Sequence, residues 1–558
     1  MKFNCVILLV FSFFCLKAQN EIWNKLTFIH EQNRFFANTH LEIDNFNNKY
    51  VLSFNSNISD SEGSKSLLRL IKYSERDKIL WSKTIAEIND ITYNPTGFSL
   101  ISDGRNNIYL SFNTKGSVTV VSEKYENASV VIKVNRDGEI LNTIALHGVC
   151  ENYINDMAID EKGNLYIGGV FGYGPYSSVD CNFIVINDTL KPKDRWGDIF
   201  LAKLNNEFKL DWIKTGGTVH FDSIAKIEIF GNEVYFAGTT KGAEFIFDNL
   251  SFTIPYQIFN RAGFLAKTDT IGNVFWLRYF GLKNFDQVSS GVYDLKVLNS
   301  NNVSLAFGGF TNGSNINEFI IQNGPTLQGT SPSTQDYFLI NYNEKGDVNW
   351  AKNSHNSGDI YVLSMLKYKN NSLLISGYFG NSLQFNENVK LSQGSNDIFV
   401  ACYNQNGEEQ WIKTAGGKGN DTANSIALDQ QGRIYVSGGT SSHPVTFGNI
   451  TVDPPHPNNV FLARLSDDPI LSINPINLGN NLITVYPNPA TKQLWLHQNA
   501  NKQNIKNLFM YDVQGNLINQ TFKTTNAAIN VEHLATGIYF LNITYVNGTQ
   551  QTIKWCKQ

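Results

Sequence analysis

The chain has 558 residues, 42% of them hydrophobic, 13% aromatic and 17% charged, with a net charge of −4. That length exceeds one ordinary domain, and the composition supports a large core. The near-neutral balance, with no Lys/Arg run and no basic aromatic platform, argues against nucleic acid as a partner. In chain order, Met1-Lys2, the apolar run from Val6 to Leu16 and Lys17-Ala18-Gln19 predict a secretory signal peptide over residues 1–19. The run is too short for a comfortable membrane span, and Phe14 before Cys15 is too bulky for a lipobox. Four cysteines remain after cleavage: Cys150, Cys181, Cys402 and Cys556. They lack CxxC spacing, which argues against zinc. Cys150 and Cys181 either pair as loop residues of one repeat or stay as two buried thiols. Cys402, inside FVACYN, reads as a small core residue.

From residue 20 onward one unit returns. Its first half is an apolar strand, a polar turn and a Trp-bearing strand: IFLAKLNNEFKLDW ending at Trp212, GFLAKTDTIGNVFW at Trp276, YFLINYNEKGDVNW at Trp350 and IFVACYNQNGEEQW at Trp411. Looser copies end at Trp81 and at Leu141, which stands in the Trp place. The second half is a hairpin of period-two alternation around a Gly-bearing turn, as in SIALDQQGRIYVSGG. Anchors at Trp23, Trp81, Leu141, Trp212, Trp276, Trp350 and Trp411 give seven copies. Four short strands per copy and no helical periodicity predict an all-β fold, a seven-bladed β-propeller over residues 20–467. The first copy lacks the FLAK-type strand, and VFLARL (Val460 to Leu465) is such a strand with no Trp partner. The N-terminal strand is therefore expected to close the last blade.

The stretch FVACYNQNGEEQWIKTAGGKGNDTANSIALDQQGRIYVSGGT resembles the bacterial β-propeller repeat family. The likeness covers most of 20–467 and specifies a fold rather than a chemistry. It implies that SIALD is the innermost strand of its blade, RIYVSGG the second, FVACYN the third and the Trp strand the outermost.

Residues 468–483 read as a linker. Beyond them, short alternating strands bordered by Pro487, Gly515, Gly537 and Gly548 predict a small Ig-like β-sandwich over 484–558. The motifs YPNP (Tyr486, Pro487, Asn488, Pro489), MYDVQGNL with Gly515, and LATGIYFLNI with Gly537, Ile538 and Tyr539 resemble the type A C-terminal sorting domain of the type IX secretion system. The resemblance implies export across the outer membrane by that machinery, followed by attachment to surface lipopolysaccharide or release.

With the strand order that the propeller likeness implies, one position becomes the candidate site. Asn152, Asp222, Asp286, Asp359 and Asp421 each stand in the connection from one outermost strand to the next innermost one. Two roles compete for them. Each side chain could accept backbone N–H groups and shape a tight loop, or together they could ring a channel mouth and bind Ca²⁺ or a sugar through oxygen. The long connections near 171–198, 241–261, 310–335 and 440–458 are rich in Tyr, Phe, Asn and Gly and suit adaptable stacking contacts. His443 and His456 share one loop but lack a third ligand. No GxSxG, HExxH or phosphate loop occurs. The expectation is a surface-displayed binding or adhesion module for an extracellular glycan or protein, with no cofactor beyond calcium. A carbohydrate-active enzyme and a purely structural surface protein are the alternatives.

Overall fold

The computed structural model describes residues 22–29, 40–60, 63–88, 96–104, 106–148, 150–174, 183–185, 188–192, 196–255, 262–283, 290–310, 318–329, 334–456, 458–466, 483–498, 505–512, 517–521, 528–545 and 550–558. The expected signal peptide, all of the expected linker except Ile483, and Cys181, Asp286 and Gly515 lie outside them. The chain divides into two compact units, residues 1–467 and 468–558. Both are built from β-strands.

In the first unit, seven sheets carry a run of four antiparallel strands each, among the described residues. The third is Glu151–Ile159, Leu165–Tyr173, Asp198–Leu204 and Leu210–Gly217. The fourth is Asp222–Phe230, Glu233–Thr240, Ala262–Asp269 and Val274–Leu282, and the sixth is Ile360–Tyr368, Ser372–Phe379, Asp397–Tyr403 and Glu409–Gly417. The second and third strands of each are buried on both faces, which is why FLAK- and IYVSG-type segments are almost continuously apolar. The seventh sheet joins Asp421–Leu428, Ile434–Thr440 and Asn459–Ser466 to Ile22–Ile29, with Trp23 opposite Leu465 and Phe28 opposite Phe461.

The leading strands touch one another in order. His40–Ile43 meets Thr96–Ser102, and contact then passes through Glu151–Ile159, Asp222–Phe230, Ser290–Asn299, Ile360–Tyr368 and Asp421–Leu428 back to His40–Ile43. Most of these strands carry a bulge, and the side chain there reaches the next strand. Asp156 accepts the Ile227 amide at 2.9 Å, Asp294 the Met365 amide at 2.6 Å, Ser364 the Ile426 amide at 3.3 Å and Ser425 the Leu41 amide at 3.2 Å. A bulge frees one residue from the ladder and re-aims its neighbour. Here that turns a side chain into a tie between sheets.

The repeated Trp works at the outer edge. The indoles of Trp81, Trp212, Trp276 and Trp350 donate to the carbonyls of Arg136, Thr270, Glu344 and Gln405, each in the last turn of the following sheet, at 3.0–3.2 Å. The glycines of three of those turns, Gly272, Gly346 and Gly407, hold φ between +76° and +93° with the Trp ring directly beside them. A side chain at Gly346 or Gly407 would collide with that ring. Leu141 does not take this place. Asn142 stands opposite Lys133 as Trp212 does opposite Lys203, after the same bulge, and Leu141 is 53% exposed.

The long connections are not free loops. Hairpins at Ser117–Glu126, Phe183–Leu190, Glu244–Thr253, Glu318–Gln328 and Val445–Val452 pair onto the outermost strand of the preceding sheet. Ser382–Leu391 pairs with His355–Asn356 just past such a strand. Alternate apolar residues, such as Phe245 and Phe247 or Val445 and Phe447, fill the seam and are fully buried. Burial of a Phe or Val side chain stabilises by about 1.5–3 kcal/mol, which fastens these segments as structure.

In the second unit, Ile483–Tyr486, Gln493–Gln498 and Ala528–Asn530 form one sheet; Leu517–Thr521, Ile505–Tyr511, Gly537–Tyr545 and Gln550–Lys557 form another. Trp555, stacked on Tyr539 at 5.2 Å, anchors the core between Leu494, Met510, Leu541 and Ile543. Asn488 of YPNP accepts the Cys556 amide at 2.8 Å. Tyr486, Pro487, Asn488, Pro489, Gly537 and Ile538 are exposed, whereas Tyr539 is buried.

Candidate functional site

The acidic positions are placed as follows. Asp222 and Asp421 each begin a leading strand and are 0% exposed. Asp222 accepts the Thr218 and Lys241 amides at 2.5 and 3.3 Å. Asp421 accepts the Gly417 amide at 2.9 Å and the Ser442 and Thr440 hydroxyls at 2.6 and 2.5 Å. Asn152 is buried, accepting the Gly172 amide at 2.9 Å and donating to the Cys150 carbonyl at 2.6 Å. Asp359 is exposed and accepts the Gln335 amide at 2.9 Å. A ring of ligands needs oxygens turned toward solvent. The oxygens of Asp222 and Asp421 are instead turned inward onto the connections on either side.

Two of these carboxylates have a carboxylate neighbour. Gly217 lies between Asp198 and Asp222, where an added Cβ would sit 2.7 Å from an oxygen of each. Burial, opposed by the hydrogen bonds and reinforced by Asp198, pushes Asp222 up to about 7. In the sixth and seventh sheets, burial pushes Asp397 up to about 6, with Asp421 adding to the rise, and burial also raises Asp421. Gly217 and its counterpart Gly416 keep φ of +142° and +158°, and only a residue without a side chain fits beside the acids.

The leading strands carry a second set of charges. Lys296 pairs with Glu228 at 2.8 Å and Lys226 with Asp294 at 3.7 Å. Burial raises Glu42 to about 7, and burial with the nearby Lys226 charge lowers His40 to about 4. The lysines are thus paired with carboxylates of neighbouring leading strands. Among the described residues, no group of three or more His, Cys, Asp or Glu side chains is placed to hold a metal ion. Cys150 is disulfide-bonded, and Cys402 and Cys556 are free.

One opening in the surface lies beside Asp222, lined by its neighbour Phe221 and by Lys241, whose amide that carboxylate accepts. A cleft of about 380 Å³ is lined by Tyr173, Trp196, His220, Phe221, Thr239, Thr240 and Lys241, within the size range of small-ligand sites. Tyr173 ends the second strand of the third sheet, and Thr239 and Thr240 end that of the fourth. Trp196 stands 41% exposed in the connection before Asp198. Phe221 meets the Tyr173 ring edge-on at 5.5 Å. The Asp222 bonds to Thr218 and Lys241 therefore fix two walls of this cleft at once. Sequence reasoning marked 171–198 and 241–261 as contact-forming segments but not these side chains. The available signal was KDRWGD and VHFDS, where a large aromatic sits next to a strand-opening Asp.

Residues 484–558 match the secretion system C-terminal sorting domain, and residues 410–443 match the β-propeller repeat. The chain is 27% identical over 150 residues to Regulatory protein FlaEY of Caulobacter vibrioides, covering 26% of this chain and 15% of that protein. It is 25% identical over 205 residues to an uncharacterized WD repeat-containing protein of Acanthamoeba polyphaga mimivirus, covering 33% and 14%. The chain thus spans about a seventh of the length of the curated relatives it matches. A protein of unknown function from Dyadobacter fermentans DSM 18053, known from its crystal structure, aligns with a TM-score of 0.33 and 8% identity, covering 67% of this chain and 94% of that one. The sorting domain directs the chain to the type IX machinery and so across the outer membrane, to the cell surface or the extracellular space.

Proposed function

We propose that residues 20–467 form a closed seven-bladed β-propeller that is displayed at the cell surface as a binding or adhesion module. Residues 484–558 would be its Ig-like sorting sandwich, with surface lipopolysaccharide as the attachment partner. The cyclic order of contact between leading strands, the Ser425–Leu41 tie and the pairing of Ile22–Ile29 with Asn459–Ser466 support closure. The cleft carries the functional reading. It presents three aromatic side chains, Tyr173, Trp196 and Phe221, and several polar tips on a double wall, the composition of a site that grips a ligand by stacking and orients it by hydrogen bonds. Its ligand is an extracellular glycan or protein.

The test is saturable binding by the full chain on a panel of extracellular polysaccharides and matrix proteins, read by calorimetry. Trp196→Ala combined with Phe221→Ala is expected to weaken binding at least tenfold with little change in Tm. A double variant that binds as wild type would remove the cleft from this role.

A further inference from the structure

We infer that the cleft takes a carboxylated saccharide, a chain containing uronic acids, with Lys241 and His220 reading its charge. The inference rests on the proposed binding role of this cleft and names the ligand class. Among the described lining residues there is no carboxylate and no side-chain amide. The polar tips are the Lys241 ammonium, the His220 ring, the Tyr173 and Thr239 hydroxyls and the Trp196 indole N–H, while Thr240 is buried. An ammonium donates only, and among the described lining residues no side chain is acceptor-only. A neutral sugar could exchange hydrogen bonds with the hydroxyls but offers no charge to the Lys241 ammonium. A carboxylate offers acceptors alone and supplies the missing counter-charge.

Asp222, which accepts the Lys241 amide, is not available to its ammonium. It is fully buried, with its oxygens taken by the Thr218 and Lys241 amides. Lys241 itself is exposed, and among the described residues no carboxylate pairs with its ammonium. Beside the Trp196 and Phe221 faces, water is partly excluded and a charge-assisted hydrogen bond gains strength. Those faces suit the C–H side of a pyranose ring. An extended acidic peptide fits less well, because it would add to a free strand edge. The cleft strands Leu165–Tyr173 and Glu233–Thr240 are paired on both sides.

The experiment compares polygalacturonate with its fully methyl-esterified form, the same backbone without the charge, and adds alginate, hyaluronate and polyglutamate. The full chain is expected to bind at least one uronate polymer ten or more times tighter than the ester, with affinity falling as salt rises. Lys241→Met with His220→Gln should bring the acid down to the level of the ester, while Trp196→Ala weakens both. Equal binding of acid and ester overturns the charge reading and leaves the binding role intact. Binding of polyglutamate without any uronate polymer overturns the saccharide in favour of an acidic peptide. No binding to any carboxylated polymer overturns the inference, and silence across the wider panel of glycans and proteins removes the binding role as well.

Discussion

Asp222 is pulled in two directions. Loop amides stabilise its charged form, whereas complete burial and the neighbouring Asp198 oppose it, and the net effect is an upward shift to about 7. An unfolded Asp titrates near 3.8. The stabilising contribution of the raised value is therefore fully present below about pH 4 and is lost as pH rises through about 7. Asp397, raised to about 6, and Glu42, raised to about 7, act in the same sense. His40, lowered to about 4, acts in the opposite one, costing stability as pH falls from 6.5 through 4. The Tm is expected to fall between pH 5 and pH 8, and Asp222→Asn should remove part of that fall while keeping an acceptor for the amides. Thermal melts of the two proteins at both pH values check this; an unchanged pH dependence in the variant would count against the burial argument. The Asp positions were legible in the sequence because they recur with the repeat. Their inward orientation was not, since it depends on amides of two separate connections, Thr218 and Lys241 for Asp222.

At the scale of single elements, the Trp and the turn glycine form one inter-sheet clasp. Trp350 donates to Gln405 and packs on Gly407, and Trp276 does the same with Glu344 and Gly346. Trp411 differs: its indole N–H is buried with no acceptor among the described residues. The reason is that the seventh sheet has no turn between its third and fourth strands, which come from opposite ends of the chain. Trp350→Phe should therefore cost about 1 kcal/mol more than Trp411→Phe, the net worth of one hydrogen bond, measurable by denaturant unfolding. Equal costs would mean that ring packing alone holds the clasp. The spacing of Trp and Gly displays both halves of this device, but which sheet each half serves follows only from neighbour order. The strapping hairpins were harder still to read. Segments such as VTFGNITV alternate over three residues on each side, too short for periodicity to stand out from a Gly- and Asn-rich loop. Leu141 differs from these: the Trp place, opposite Lys133 as Trp212 is opposite Lys203, falls on Asn142, and that spacing from the Lys was legible in the sequence.

Across the whole molecule, the sorting domain and the proposed binding cleft belong to different units. Deleting 484–558 is expected to abolish surface display, checked by protease accessibility on intact cells; continued display would assign export to another segment. Deleting Ile22–Ile29 should lower the Tm of the first unit, because Asn459–Ser466 would become an unpaired apolar edge. The same strand has a consequence in time. Trp23 bonds a carbonyl 391 residues away, and Leu41 bonds a hydroxyl 384 away. Every other step can proceed between neighbours in the chain, whereas this one must wait for both ends and meet a large loop-closure entropy. The seam is therefore expected to form last, so that during refolding resistance to proteolysis should appear only as Ile22–Ile29 pairs with Asn459–Ser466, which pulse proteolysis would check.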